Sequence, residues 1–183
     1  GVNQGEGCDI AILPLGSKSP KTKVVIELSD VINPGSGGNW GSQIMIDWVR
    51  QIKNEIEPEI EPVDRFWVNV RDVTEAITCL CMSEKEPNLS GTFRMCGRRA
   101  WSSEDVIDEI RILWERYNNA INHSHTIESL SEIPSPVRGI YSEKSETPDL
   151  SGIHQALIAS GSEGWHPVVP MRISIMEMIA HTN

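Results

Sequence analysis

The residues between the first apolar run and the first amphipathic stretch are Asn33, Pro34, Gly35, Ser36, Gly37, Gly38, Asn39, Trp40 and Gly41. Small residues between a strand and a helix let backbone N–H groups and a helix N-terminus meet a phosphate. The fingerprint is incomplete here. No Lys-Ser or Lys-Thr pair completes a Walker loop, and Trp40 stands where a dinucleotide fingerprint starting at Gly35 requires glycine, so a plain Gly-rich turn fits equally well. His123, His125, His154, His166 and His181 miss the i, i+4 spacing of a helical metal pair, and no metal site is expected. Cys79 and Cys81 would project about 200° apart on a helix, so they share no ligand and read as core thiols. Glu55, Glu57, Glu59 and Glu61 alternate with Ile56, Pro58, Ile60 and Pro62, which suits a solvated extended linker better than a paired-carboxylate site. Arg65 follows that run. Its guanidinium can pair with the glutamates or give two-point recognition of an anion.

These groups sit in a chain of 183 residues, the size of one ordinary domain or a large part of one. Hydrophobic residues at 39% and charged residues at 23% imply a buried core and exclude wholesale disorder. The 16 basic against 26 acidic residues leave a net charge of −10, which repels a nucleic-acid backbone, so no nucleic-acid partner is expected. An anionic ligand therefore needs a local basic site, and arginine supplies 10 of the 16 positive charges. The four cysteines lack CxxC spacing and disulfide density, pointing to a reducing cytoplasm. Apolar runs fall far short of the ~20 residues that cross a bilayer, and no signal-peptide core is seen, so a soluble, cytoplasmic protein without membrane contact is expected.

Elements that could position these groups follow from periodicity. Residues 1–22 are rich in Gly, Ser, Lys and Pro and read as mostly irregular, despite a short apolar patch over 10–15. Residues 23–28 form a β-branched strand that runs into the Gly-rich loop. Met45, Val49, Ile52 and Ile56 share one helical face, which Pro58 and Pro62 end. Residues 65–70 alternate as a second strand, and a helix follows with Asp72 as its cap, Glu75 completing a capping box, and Val73, Ile77 and Leu80 buried. Residues 92–95 give a third strand. Ser102 or Ser103 opens a helix with Val106, Ile110, Leu113 and Tyr117 inward, and two short helices are expected over 149–159 and 172–180. Alternating strands and helices imply an α/β fold. Three parallel strands cover too little helix for a complete sheet, so the chain is expected to be the later part of a larger fold or to pair with another chain.

Four segments, in order, resemble the second half of the extended short-chain dehydrogenase/reductase family, the NAD(P)-dependent nucleotide-sugar epimerases, dehydratases and reductases. Residues 23–35, KVVIELSDVINPG, resemble the family's strand that ends in an Asn-Pro-x-Gly or Tyr-Gly-Pro-Gly turn beside the nicotinamide. Residues 65–73, RFWVNVRDV, are similar to the family's Arg-Asp-Phe-hydrophobic-His-Val-x-Asp-Val, with Asn69 where histidine is usual. Residues 91–110 resemble the stretch with a Gly turn and a Ser-capped helix. Residues 147–167, with TPDLSGIHQAL and GWHP, resemble the Asp-x-Ser-Lys helix and the Gly-Trp-x-Pro that follows. The resemblance implies a Rossmann-like three-layer fold with few parallel strands and a mainly helical substrate lobe, divided as an irregular segment 1–22 and a substrate-binding half 23–183. It also implies a sugar-nucleotide substrate clamped by Arg65 and Arg138, substrate contacts from Asn33 and Asn39, and contact of NAD or NADP at Pro34 and Gly35.

The departures limit the chemistry. If Lys18 matches the lysine of the catalytic Tyr-xxx-Lys, the tyrosine position is Pro14, which has no hydroxyl to exchange a proton. Gly152 replaces the lysine of Asp-x-Ser-Lys, and nothing before Lys23 has the strand-turn-helix form of a cofactor cradle. The expectation is a chain that contributes the substrate site, completed by a complementing N-terminal half or a second copy. Two alternatives stand beside it: a non-catalytic binding or scaffold relative of the same fold, and a reductase of small carbonyl compounds.

Overall fold

A computed structural model describes residues 1–3, 7–18, 21–35, 39–83, 89–127 and 146–182. Three strands, β1 (Ile10–Pro14), β2 (Val24–Leu28) and a third over Gly91–Met95, form one parallel sheet with β2 central. The register pairs Ile12 with Ile26 and Ile26 with Phe93. Two further strands, β3 (Val31–Ile32) and β4 (Val68–Asn69), make a separate parallel pair, so the Gly91–Met95 strand is β5. The helices are α1 (Ser42–Lys53), α2 (Val70–Met82), α3 (Ser103–Ile121), α4 (Ser151–Ala159) and α5 (Met171–His181).

Period-2 alternation sends Val24, Ile26 and Leu28 to one face of the sheet, where Val73, Ala76 and Leu80 of α2 and Ile153 and Leu157 of α4 cover them. The opposite face carries a smaller cluster of Ala11, Leu13 and Val25. A second core belongs to the helical lobe, where Met45 and Val49 of α1, Ile110 and Leu113 of α3, and Ile175 and Ile179 of α5 close around Trp67 and Trp101. This is the mixed α/β architecture that the alternation of strands and helices implies.

Local expectations hold at α3, whose N-cap Ser102 accepts from the Asp105 N–H at 3.1 Å, with Glu104 and Asp105 in the first turn. They need correction at three places. The 1–22 segment is not irregular throughout: the apolar patch at 10–15 becomes β1, and residues 1–3 lie along its outer edge, with Asn3 N donating to Ile12 O at 2.8 Å. The second strand is two residues long, and Arg65 instead forms an isolated antiparallel bridge with Trp101. The cap of α2 is Asn69, which accepts from Arg71 N at 2.8 Å, because the helix starts directly at Val70. Asp72 is buried within that helix and accepts from the backbone N–H of Val168 at 2.9 Å, tying α2 to the segment before α5.

The crossover from β1 to β2 uses residues 15–23, with no helix among its described residues. Parallel strands usually need about a dozen residues or more, most often a helix, to return. Gly97, just after β5, lies against the 66–67 backbone: its N–H donates to Phe66 O at 2.7 Å, and a Cβ there would sit 2.2 Å from Trp67 O. Gly97→Ala is therefore expected to lower the unfolding free energy by at least about 2 kcal/mol, whereas Ser102→Ala costs about 1 kcal/mol, both read from denaturant midpoints.

Candidate functional site

A cavity of about 710 Å³ opens where the C-terminal ends of β1 and β2 meet the turn before α1 and the chain leading into β4. Ligands of open α/β sheets bind in this position, beyond the carboxyl ends of the strands. Its wall includes Pro14, Asp30, Trp40, Asp64, Arg65 and Arg94. Two of these residues hold backbone conformations that side chains rarely adopt: Asp30 at φ 54° and Trp40 at φ 60°. For a bulky tryptophan this strain costs on the order of 1–3 kcal/mol, and such outliers gather at functional sites. Gly41 follows at φ 92°, and a Cβ there would crowd the Asp30 N–H at 3.2 Å, so glycine is what lets the α1 turn close against Asp30.

Asp30 organises the wall. Its carboxylate accepts from Arg65 Nη1 at 3.1 Å and from the Phe66 N–H at 2.9 Å, and its carbonyl accepts from Val68 N at 3.0 Å. Arg65 Nη2 donates to Glu61 at 2.7 Å, and its guanidinium lies 5.7 Å from the Trp67 ring. Burial opposes the Arg65 charge, but the hydrogen bonds and fields of Glu61 and Asp30 outweigh it and raise its pKa. The guanidinium is thus held charged and in one orientation. The Nε atoms of both Arg65 and Arg94 are buried and have no hydrogen-bond partner.

Among the residues singled out from sequence, Arg65 lines this cavity together with Pro14, Trp40, Gly41 and Pro62. Asn39 begins a 3₁₀ turn, Asn39–Gly41, whose Trp40 and Gly41 line the cavity. Asn33 and Pro34 are half-buried after β3, and Gly35 is exposed at φ 82° beside the His181 ring. Lys18 is exposed, just past the turn that ends β1. Arg138 lies outside the described residues. The second cavity arginine, Arg94, carries the period-2 signal of β5, since Phe93 and Met95 on either side of it pack into the sheet core. Asp30 has no comparable mark, because its partners lie 35 and 36 residues away in the chain.

The Tyr-xxx-Lys pair that the family resemblance implies beside a nicotinamide ring is not formed by Pro14 and Lys18. Positions four apart face one another on a helix, but Pro14 ends a strand and Lys18 follows a turn, and Pro14 cannot exchange a proton. Among the described residues no group of His, Cys, Asp or Glu is placed to hold a metal ion, and no helix is long and apolar enough to cross a membrane. None of the four cysteines forms a disulfide.

With this geometry in view, comparison with known proteins bears on the fold. No protein-family model matches the chain, and no curated protein matches it. Solved structures do. The enzyme WbmF from Bordetella bronchiseptica, in complex with NAD+ and UDP, matches at a TM-score of 0.53 and 13% identity over 87% of this chain and 45% of that one. RMD from Pseudomonas aeruginosa, complexed with NADPH, gives 0.51 and 16% identity over 86% and 47%. The UDP-glucose 4-epimerase of Thermus thermophilus, complexed with NAD, gives 0.52 and 13% identity over 95% and 64%. The chain therefore has the Rossmann-like α/β fold of these nicotinamide-binding enzymes and spans about half of their length. At such identity the likeness is one of fold.

Two outcomes follow from the site's electrostatics. Arg65→Met strands the Asp30 carboxylate in a buried wall and is expected to cost about 2–3 kcal/mol in denaturant unfolding, well above an exposed ion pair. Behind the wall, burial pushes the Cys96 thiol up from 9.0 to about 11. The folded state then holds this proton more tightly than the unfolded state, so the stabilisation is complete below pH 9 and is lost as pH rises toward 11. Unfolding measured from pH 8 to 11 should fall more steeply for the wild type than for Cys96→Ala. Equal slopes would contradict the burial of that thiol.

Proposed function

We propose that this chain supplies the substrate site of an NAD(P)-dependent nucleotide-sugar epimerase, dehydratase or reductase, and that the Arg65 cavity takes the sugar nucleotide. The observation that carries the proposal is the pair of guanidinium groups, from Arg65 and Arg94, on the wall of one cavity. A diphosphate suits two converging guanidinium groups, and charge-assisted bonds to a planar fork are the strong kind. The other lining groups suit the rest of such a ligand: Asp30, Asp64 and Glu146 can accept from sugar hydroxyls, and Trp40 offers a ring face. A neutral carbonyl compound has no use for the two guanidinium groups, which favours the sugar-nucleotide reading over a small-carbonyl reductase.

The remaining assignments belong to the same proposal. Asn33 and Asn39 border the substrate, with Arg138 as a further phosphate contact. The cofactor, NAD or NADP, is held by a dinucleotide-binding unit of the same polypeptide or of a complementing chain, and the Pro34 and Gly35 turn is its contact from this side. A second copy of this chain is the other way to complete the sheet. Unbridged thiols fit a cytoplasmic setting. Pro14 on the cavity wall favours a second reading, a relative that binds the same ligand and has lost proton transfer.

Calorimetric titration tests binding directly. UDP-glucose and dTDP-glucose should bind the wild-type chain, and Arg94→Gln and Arg65→Lys should each weaken the tighter of the two about tenfold or more, the loss of one charge-assisted contact. Arg65→Lys keeps a cation beside Asp30, so a folded variant remains to be measured. Absence of binding by the wild type, or unchanged affinity in both variants, removes the proposal. Binding without turnover, after a complementing dinucleotide-binding half is added, selects the second reading.

A further inference from the structure

A second pocket, about 200 Å³, shares no lining residue with the first. It lies where the loop after β5 meets the start of α5, and its charged residues among the described lining are Arg98 and Arg99, with no carboxylate among them. In a chain of net charge −10 that is an unusual concentration of positive charge, and the main cavity, with three carboxylates beside two arginines, has none like it. Both guanidinium groups are steadied: Arg98 Nη1 donates to His166 Nδ1 at 3.2 Å, and Arg99 lies 4.3 Å from the Trp101 ring. Trp67, in the same lining, is 94% buried (6% exposed), and its indole N–H has no acceptor. Asn69, also in the lining, keeps its amide engaged with Ser174 at 2.9 Å.

We infer that this pocket is a second binding site, for the phosphate group of a small molecule. Two arginines give charge and paired donors for an oxyanion, and the Trp67 indole, in the same lining, lies close enough to report its binding. The volume suits a phosphate and a few attached atoms, not a nucleotide. Gly97 helps build the site, since no side chain fits between this loop and the Trp67 backbone.

The test is a titration of the 15N-labelled chain with inorganic phosphate at constant ionic strength, following the indole N–H resonances, with that of Trp67 assigned through Trp67→Phe. A saturable shift of the Trp67 resonance is expected. Arg98→Gln with Arg99→Gln should raise its Kd at least about tenfold, Arg98→Glu alone, at an exposed position, should do so too, and Arg94→Gln should leave it unchanged. A shift that does not saturate, or that persists in both folded Arg98 variants, overturns the inference. Loss of the shift in Arg94→Gln overturns it as well, because the phosphate would then belong to the first cavity, whose own role is judged separately by sugar-nucleotide binding.

Discussion

The contact between Asp30 and Arg65 is the constraint on which the cavity depends. Asp30 sits between β2 and β3, Arg65 leads into β4, and the ion pair at 3.1 Å joins them with the Asp30–Phe66 and Asp30–Val68 hydrogen bonds. Because β3 and β4 are only two residues each, their pairing is weak by itself, and these contacts hold the two strands in register. The ion pair also orients the guanidinium whose Nε faces no acceptor. A buried pair of this kind is poor evidence of stability, since desolvation offsets much of its attraction. Its value here is specificity of geometry.

Strain and charge then act together at one end of the sheet. Asp30 and Trp40 both carry positive φ, and Gly41 between Trp40 and α1 is the residue whose missing Cβ lets the turn approach. The two cores lie on either side of this region, the sheet with α2 and α4, and the lobe of α1, α3 and α5. The lobe is further joined by Arg172, whose fork meets Glu109 of α3 at 2.8 and 3.1 Å. The cavity itself lies at the carboxyl ends of β1 and β2, where ligands of α/β proteins are usually held.

How much of this was legible in the sequence depended on the range of the interaction. Local signals were sufficient for α3, where Ser102, Glu104, Asp105 and the Val106, Ile110, Leu113 stripe all agree, and for β5. β1 was obscured because Pro14 and the Gly-, Ser- and Lys-rich flanks mask a five-residue strand whose partners are parallel and non-local. Asp72 resembled a cap because its true acceptor role, toward Val168 96 residues later, leaves no local trace. The same holds for the site: Arg65 was visible through a motif resemblance, whereas Asp30 and Arg94 join it only through the fold. Arg138 and Glu61 show the two sides of this limit, one outside the described residues and the other already suggested by the neighbouring Glu run.

The most direct measurement of the central claim is a crystal structure of the chain grown with a UDP-sugar. The account predicts diphosphate oxygens within hydrogen-bonding distance of the Arg65 and Arg94 guanidinium groups, with the sugar toward Asp30 and Asp64. A sugar nucleotide bound elsewhere, or a cavity in which these arginines turn to other protein acceptors with the ligand present, would contradict it.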